Sequence, residues 1–269
     1  MISIILKNFK SIYKNRELLF MLVKKDLVAK YKGSYLGFLW SFINPLLLVG
    51  LYSFVFGLAL KVKWIGHGNS EYNFTVMLFS GLIFYLFLSD CFIKSSSCII
   101  NHPNFVKKVL FPLDILIWTN VFASLIQLLI NLILFLILVL IIEGFFPIRI
   151  VFFPIILLPL FIMTLGVSFL FATINVFFRD INQLVGFIST LFLFLSPVFY
   201  PINNLPIFFQ NVLKFNPITI PIIEFRNQIF FGNSFNYQDW FLSLIFSMLC
   251  FCLAYKIFDI NKKRFSDEI

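Results

Sequence analysis

The chain has 269 residues, of which 61% are hydrophobic and only 12% charged, with a mean hydropathy of +0.98. A soluble domain of this size carries about twice that charge, and its surface here would be one aggregating apolar patch; a disordered chain could not keep so much apolar surface solvated. The net charge is +9; in a chain this apolar, Lys and Arg set membrane orientation rather than bind a polyanion, and no basic stripe interleaved with exposed aromatics points to nucleic acid.

The composition describes a single all-α, polytopic membrane domain over residues 1–269. The first six residues are too short an apolar run for a signal peptide and are followed by Lys7, Lys10 and Lys14. Residues 1–32 form a cytoplasmic interface segment. Within it Asn15 is placed to cap a helix whose first turn holds Glu17. Leu19, Val23 and Leu27 recur at spacing four, and Asp26 and Lys30 form an i,i+4 pair. That pattern predicts an amphipathic helix in the membrane interface. Anchoring to lipid and docking to a protein are both open on these grounds.

Six apolar segments follow: 33–60, 72–92, 113–142, 150–178, 181–200 and 239–258. A spanning helix needs about 20 apolar residues. The fifth uncharged run extends to Leu213, too long for one span, and carries Pro197, Pro201 and Pro206. Proline removes a backbone donor and disfavours helix in the residue before it, so the fifth span is expected to end near Tyr200. Residues 201–236, broken further by Pro217 and Pro221, predict one or two short outer re-entrant helices. Irregular backbone at this depth is tolerated against protein or a wet cavity, which suits an exit gate. Six spans put both termini on one side. Sixteen of the 21 basic residues then fall on that side and five on the other, giving N-in and C-in.

Catalytic devices are missing from the sequence. None of the eleven glycines precedes a lysine, so there is no Walker A loop. The uncharged intervals hold no intramembrane ion pair, and Asp90 and Asp114 are read as span ends; ion coupling has little to work with. Energy for uphill transport would come from a partner. Cys91, Cys98, Cys250 and Cys252 lie in apolar surroundings without metal spacing, and His67 and His102 lack ligand neighbours. Most of the 40 Phe are expected against lipid or neighbouring helices.

Three stretches carry a family resemblance. Residues 16–45 read RELLFMLVKKDLVAKYKGSYLGFLWSFINP, with Tyr31, Leu36, Gly37, Trp40 and Pro45 in register and Lys30 where Arg is common. Residues 175–181 read NVFFRDI. Residues 196–206 read SPVFYPINNLP, followed by Asn216, Pro217 and Arg226. In order and spacing these resemble the membrane subunits of ABC-2 type polysaccharide exporters, the family that exports O-antigen, teichoic acid or capsule-type glycans. The resemblance implies a homodimer in the bacterial cytoplasmic membrane with two copies of a separate ATPase that binds ATP and Mg; this chain would hold no cofactor. It implies a channel between the two membrane subunits for a lipid-linked polysaccharide. ATPase coupling would fall to Glu17, Lys24, Lys25, Asn101, Lys107, Lys108, Arg179 and Asp180, although Arg179 could equally serve orientation alone and pair with Asp180. Aromatic faces stack on sugar rings, so channel candidates are Trp40, Tyr52, Phe56, Tyr85, Phe194, Phe199 and Tyr200; packing is the plain alternative for each. The outer gate would use Pro201, Pro206, Asn216, Pro217, Glu224 and Arg226, with simple interfacial anchoring the alternative for the last two. Competing readings are an ABC-2 exporter of small molecules, a membrane enzyme of glycan or lipid assembly, which would need a polar catalytic cluster, and a partnerless channel.

Overall fold

A computed structural model of the chain describes residues 12–62, 64–65, 71–107 and 111–268. Lys108 and His67 lie outside the described residues. Within them the fold is helical apart from one short antiparallel ladder, β1 (Trp64–Ile65) with β2 (Glu71–Tyr72).

Helix α1 (Arg16–Tyr31) has Glu17 in its first turn and Lys30 in its last, both favourable against the helix dipole. Asn15 occupies the N-cap position but makes no side-chain capping bond. Leu19 and Val23 are buried and Phe20, Met21 and Val28 are exposed. The apolar stripe packs on α5 (Asp114–Ile142).

A 3₁₀ turn leads into α2 (Trp40–Tyr52), which continues as a π-helix over Ser53–Ala59. Pro45 lies inside α2 and offers no N–H to the Ser41 carbonyl one turn earlier. Gln127 of α5 supplies the missing donor, its Nε2 lying 2.8 Å from Ser41 O. The α2 unit packs little against its own chain: 11% of its apolar window is buried.

Helix α3 (Phe74–Ser97) is the centre of the bundle, with 72% of its apolar window buried. It packs against α5, α6 (Phe153–Phe177) and α7 (Ile181–Phe194). Asn73 caps it, its Oδ1 accepting from Thr75 N at 2.9 Å. The helix runs past Asp90, which therefore sits seven residues, about 10 Å, inside its end. The charge is accommodated there by Lys94 at 2.8 Å and by the Ser124 hydroxyl at 2.6 Å. Asp114 does begin α5, where the dipole favours it.

After a short helix α4 (Pro103–Val106) and α5, the chain returns through α6 and α7. Among the described residues, five helical stretches are long and apolar enough to cross a membrane: Gly37–Ala59, Phe74–Ser97, Asp114–Ile142, Ile148–Phe177 and Tyr237–Glu268. The expected fifth span is shorter than read from sequence. Helix α7 has 14 residues, about 21 Å against a hydrocarbon core of about 30 Å. It ends at Phe194 because Pro197 disfavours helix in Ser196. Asn216 then takes over its open carbonyls, donating to Leu195 O at 2.8 Å and Phe192 O at 3.2 Å.

The outer segment holds α8 (Ile207–Leu213), α9 (Thr219–Arg226) and a π-turn, Asn227–Phe231. The last long helix, α10 (Tyr237–Asn261), packs most extensively on α6. Gly166 permits that contact: a Cβ there would lie 2.8 Å from Phe251 Cα. Turns and α11 (Phe265–Glu268) follow. Phenylalanine fills the core. Phe79, Phe84, Phe92, Phe169, Phe225 and Phe258 are all fully buried, and Phe225 of α9 meets Phe84, Phe135 and Phe153 at centroid distances of 5.3, 5.4 and 5.6 Å.

Candidate functional site

The end of the bundle that holds α8 and α9 is organised by Arg226. It is buried, and every partner among the described residues is neutral. Nε donates to Ser80 Oγ at 2.8 Å, Nη1 to Pro197 O at 2.5 Å, and Nη2 to Met77 O at 2.8 Å and Val198 O at 3.3 Å. The guanidinium also lies 4.3 Å from the centroid of the Trp64 ring. One side chain thus ties α9 to the start of α3 and to the turn after α7. Gly81 gives it room, since a Cβ there would meet Nη2 at 3.0 Å and Val198 Cα at 3.2 Å. Burial pulls the pKa of Arg226 down to about 9, which leaves it protonated at neutral pH. Glu224, two residues earlier, does not pair with it. Glu224 is buried, accepts from Asn236 N at 3.2 Å, and burial raises its pKa. Pro201 and Pro206 flank the 3₁₀ turn at Ile202–Asn204, and Asn216 also accepts from Ile218 N at 3.1 Å around Pro217.

Five of the seven candidate channel aromatics meet between α2 and the end of α7. Phe199 stacks on Phe56 at 4.4 Å and meets Tyr52 edge-on at 5.1 Å. Tyr52 and Phe56 are 6.4 Å apart, and Phe194 lies 5.6 Å from Phe199. Tyr200 donates its hydroxyl to Phe194 O at 2.9 Å. Tyr85 lies on α3, half-buried against the core. Phe199 is buried, whereas Phe194 is 53% exposed. The cluster therefore packs on one side and presents a surface on the other. Trp40 lies apart, near the opposite end of α2, beside Lys30, Asp90 and Asn131.

The opposite end of the bundle gathers most of the coupling candidates. Glu17, Lys24 and Lys25 are exposed on α1, and Asn101 and Lys107 are exposed in the connection from α3 to α5. Lys25 and His102 line the same 140 Å³ cleft between these elements. Arg179 and Asp180 are exposed in the three-residue turn from α6 to α7, and no ion pair joins them among the described residues. That turn is held next to α3 by Asn175, whose Nδ2 donates to Ser96 O at 2.7 Å and to Asn182 Oδ1 at 3.2 Å. Asn175, Gln127, Ser80 and Trp64 escape a sequence reading. Their partners are remote in the chain, and only the amide in the NVFFRDI stretch offers a local hint. Among the described residues no cluster of His, Cys, Asp or Glu could hold a metal ion.

Long apolar helices around a buried central one define a multi-pass membrane protein. The chain belongs to the ABC-2 type transporter family, which it matches over residues 17–230. It is 34% identical over 105 residues to the O-antigen export system permease protein RfbA of Klebsiella pneumoniae, covering 39% of this chain and 38% of that one. It is 30% identical over 122 residues to the protein of the same name from Myxococcus xanthus, covering 45% and 44%. The chain thus spans less than half the length of the curated relatives it matches.

Proposed function

We propose that this chain is the membrane-spanning subunit of an ATP-driven exporter that moves a lipid-linked polysaccharide across the bacterial cytoplasmic membrane. Two copies form the channel between them, and two copies of a separate ATPase drive it. The observation that carries this reading is the state of α2. A helix that leaves Leu47, Leu51, Phe54 and Leu58 exposed and is barely buried in its own chain has an apolar face free for lipid or for a second chain. The Tyr52, Phe56 and Phe194 group sits at its edge, where stacking surfaces serve sugar rings of many kinds. Helix α7 acts as the fifth, shorter span with help from the outer segment, and the resulting six spans return both termini to the cytoplasmic side. The exposed residues of α1, of the α3–α5 connection and of the α6–α7 turn form the face for the ATPase. The names of the relatives favour a glycan over a small molecule. Mild-detergent purification of the tagged full chain tests the assembly. The expected result is a complex of two such chains with two chains of a Walker-motif protein. Recovery of a lone chain from cells that contain such proteins would refute it.

A further inference from the structure

The outer segment encloses a cavity of about 330 Å³, which the proposed channel does not use. We infer that this cavity is a sugar-binding subsite, taking a neutral sugar residue by its hydroxyls as the glycan leaves the membrane. The inference rests on the polysaccharide reading above. The volume falls at the small end of the range of about 300–1,000 Å³ that ligand sites occupy.

The lining chemistry selects the ligand. Trp64, Asn203, Arg226, Asn227 and Asn233 face it alongside Pro201. Asn203 is exposed at the mouth. Asn233 Nδ2 donates to Asn227 Oδ1 at 3.1 Å, and Gln228 Nε2 holds Asn233 O at 3.2 Å, so the inner amides are set in place. Trp64 is 5% exposed, yet its Nε1 finds no acceptor among the described residues. Arg226 covers one face of the indole, so Trp64 contributes ring surface to the wall.

A phosphate favours a two-pronged guanidinium, but Arg226 commits four of its five N–H groups to protein oxygens and keeps a single Nη1 N–H. Neutral amides, by contrast, suit hydroxyls that both donate and accept.

The test uses cells whose surface glycan disappears when this gene is deleted and returns with the full chain. Photoreactive benzoylphenylalanine replaces Ile202 or Ile223 on the cavity wall, or Phe246 on the exposed face of α10. After irradiation the purified chain is probed for bound carbohydrate. The expected result is capture at Ile202 and Ile223 and not at Phe246, reduced roughly two- to tenfold by Asn203→Ala, which removes one neutral amide from the wall. Capture at Phe246 equal to that in the cavity, no capture at either wall position while the glycan is displayed, or capture untouched by Asn203→Ala overturns the subsite. If deletion leaves the surface glycan intact, the exporter reading itself fails, and the subsite with it.

Discussion

The Nε2 of Gln127 lies 2.8 Å from the Ser41 carbonyl, the acceptor that Pro45 leaves open in α2. A proline inside a membrane helix is tolerable when a neighbour satisfies the freed group, and here α5 does so. Gln127→Leu should therefore destabilise the purified protein by about 1–3 kcal/mol, the range for a buried unmet acceptor. Pro45→Ala restores an N–H to α2. In a double-variant cycle by thermal unfolding, it should recover most of the loss. Additive losses would show that the two residues do not act on the same carbonyl.

Arg226 is the larger determinant of stability. Arg226→Met leaves the Met77, Pro197 and Val198 carbonyls and the Ser80 hydroxyl without their donor, and should cost at least about 3 kcal/mol. Arg226→Lys keeps the charge but not the planar fork, and should fall between that variant and the parent. Size-exclusion profiles after graded heating measure both.

Glu224 gives the outer segment a pH dependence. Burial raises its pKa above the ordinary 4.5, so the folded chain holds the proton more tightly than the unfolded chain. Its favourable contribution is full below the unfolded pKa and is lost as the pH rises through the folded one. Glu224→Gln stays neutral and still offers an oxygen to Asn236 N. Its melting temperature should exceed the parent's at about pH 8, with the gap closing toward about pH 4. An equal gap at both would assign the effect to something other than this proton.

Gly166 sets the distance between α6 and α10. With Phe251 Cα only 2.8 Å from a Cβ, Gly166→Ala must separate the helices and should cost about 1–3 kcal/mol. Gly186→Ala, where a Cβ meets nothing within 4 Å, is the control and should be close to neutral. Parallel thermal unfolding compares the two.

Arg179 belongs to the proposed ATPase face. Arg179→Ala should leave the yield and melting temperature of the chain unchanged, since the side chain is exposed. It should lower recovery of the ATPase or its coupled hydrolysis severalfold. Full recovery together with full export would leave Arg179 a topological charge only.

The long helices were legible because lipid imposes a length of apolar sequence, and 33–60, 113–142 and 150–178 announce it directly. Charge marks Asp90 as a span end, and Lys94 and Ser124 let the helix continue seven residues beyond it. The prolines predict an end to the fifth helix near Tyr200, whereas Pro197 and the capping by Asn216 end it at Phe194. The π-helix at Ser53–Ala59 has no signature beyond its own residues. Arg226 was legible as an outer-segment residue but not as a clamp, because its partners are backbone carbonyls up to 149 residues away, which no pattern of side chains reveals. Trp64 was hidden for a similar reason: it stands outside every span and resembles no motif.

The central claim is that this chain carries a glycan out of the cell. Deleting the gene and measuring surface polysaccharide alongside the lipid-linked pool inside tests it most directly. The account predicts loss at the surface with accumulation inside, both reversed by the full chain. Surface glycan at its normal level, with no internal accumulation, would contradict it.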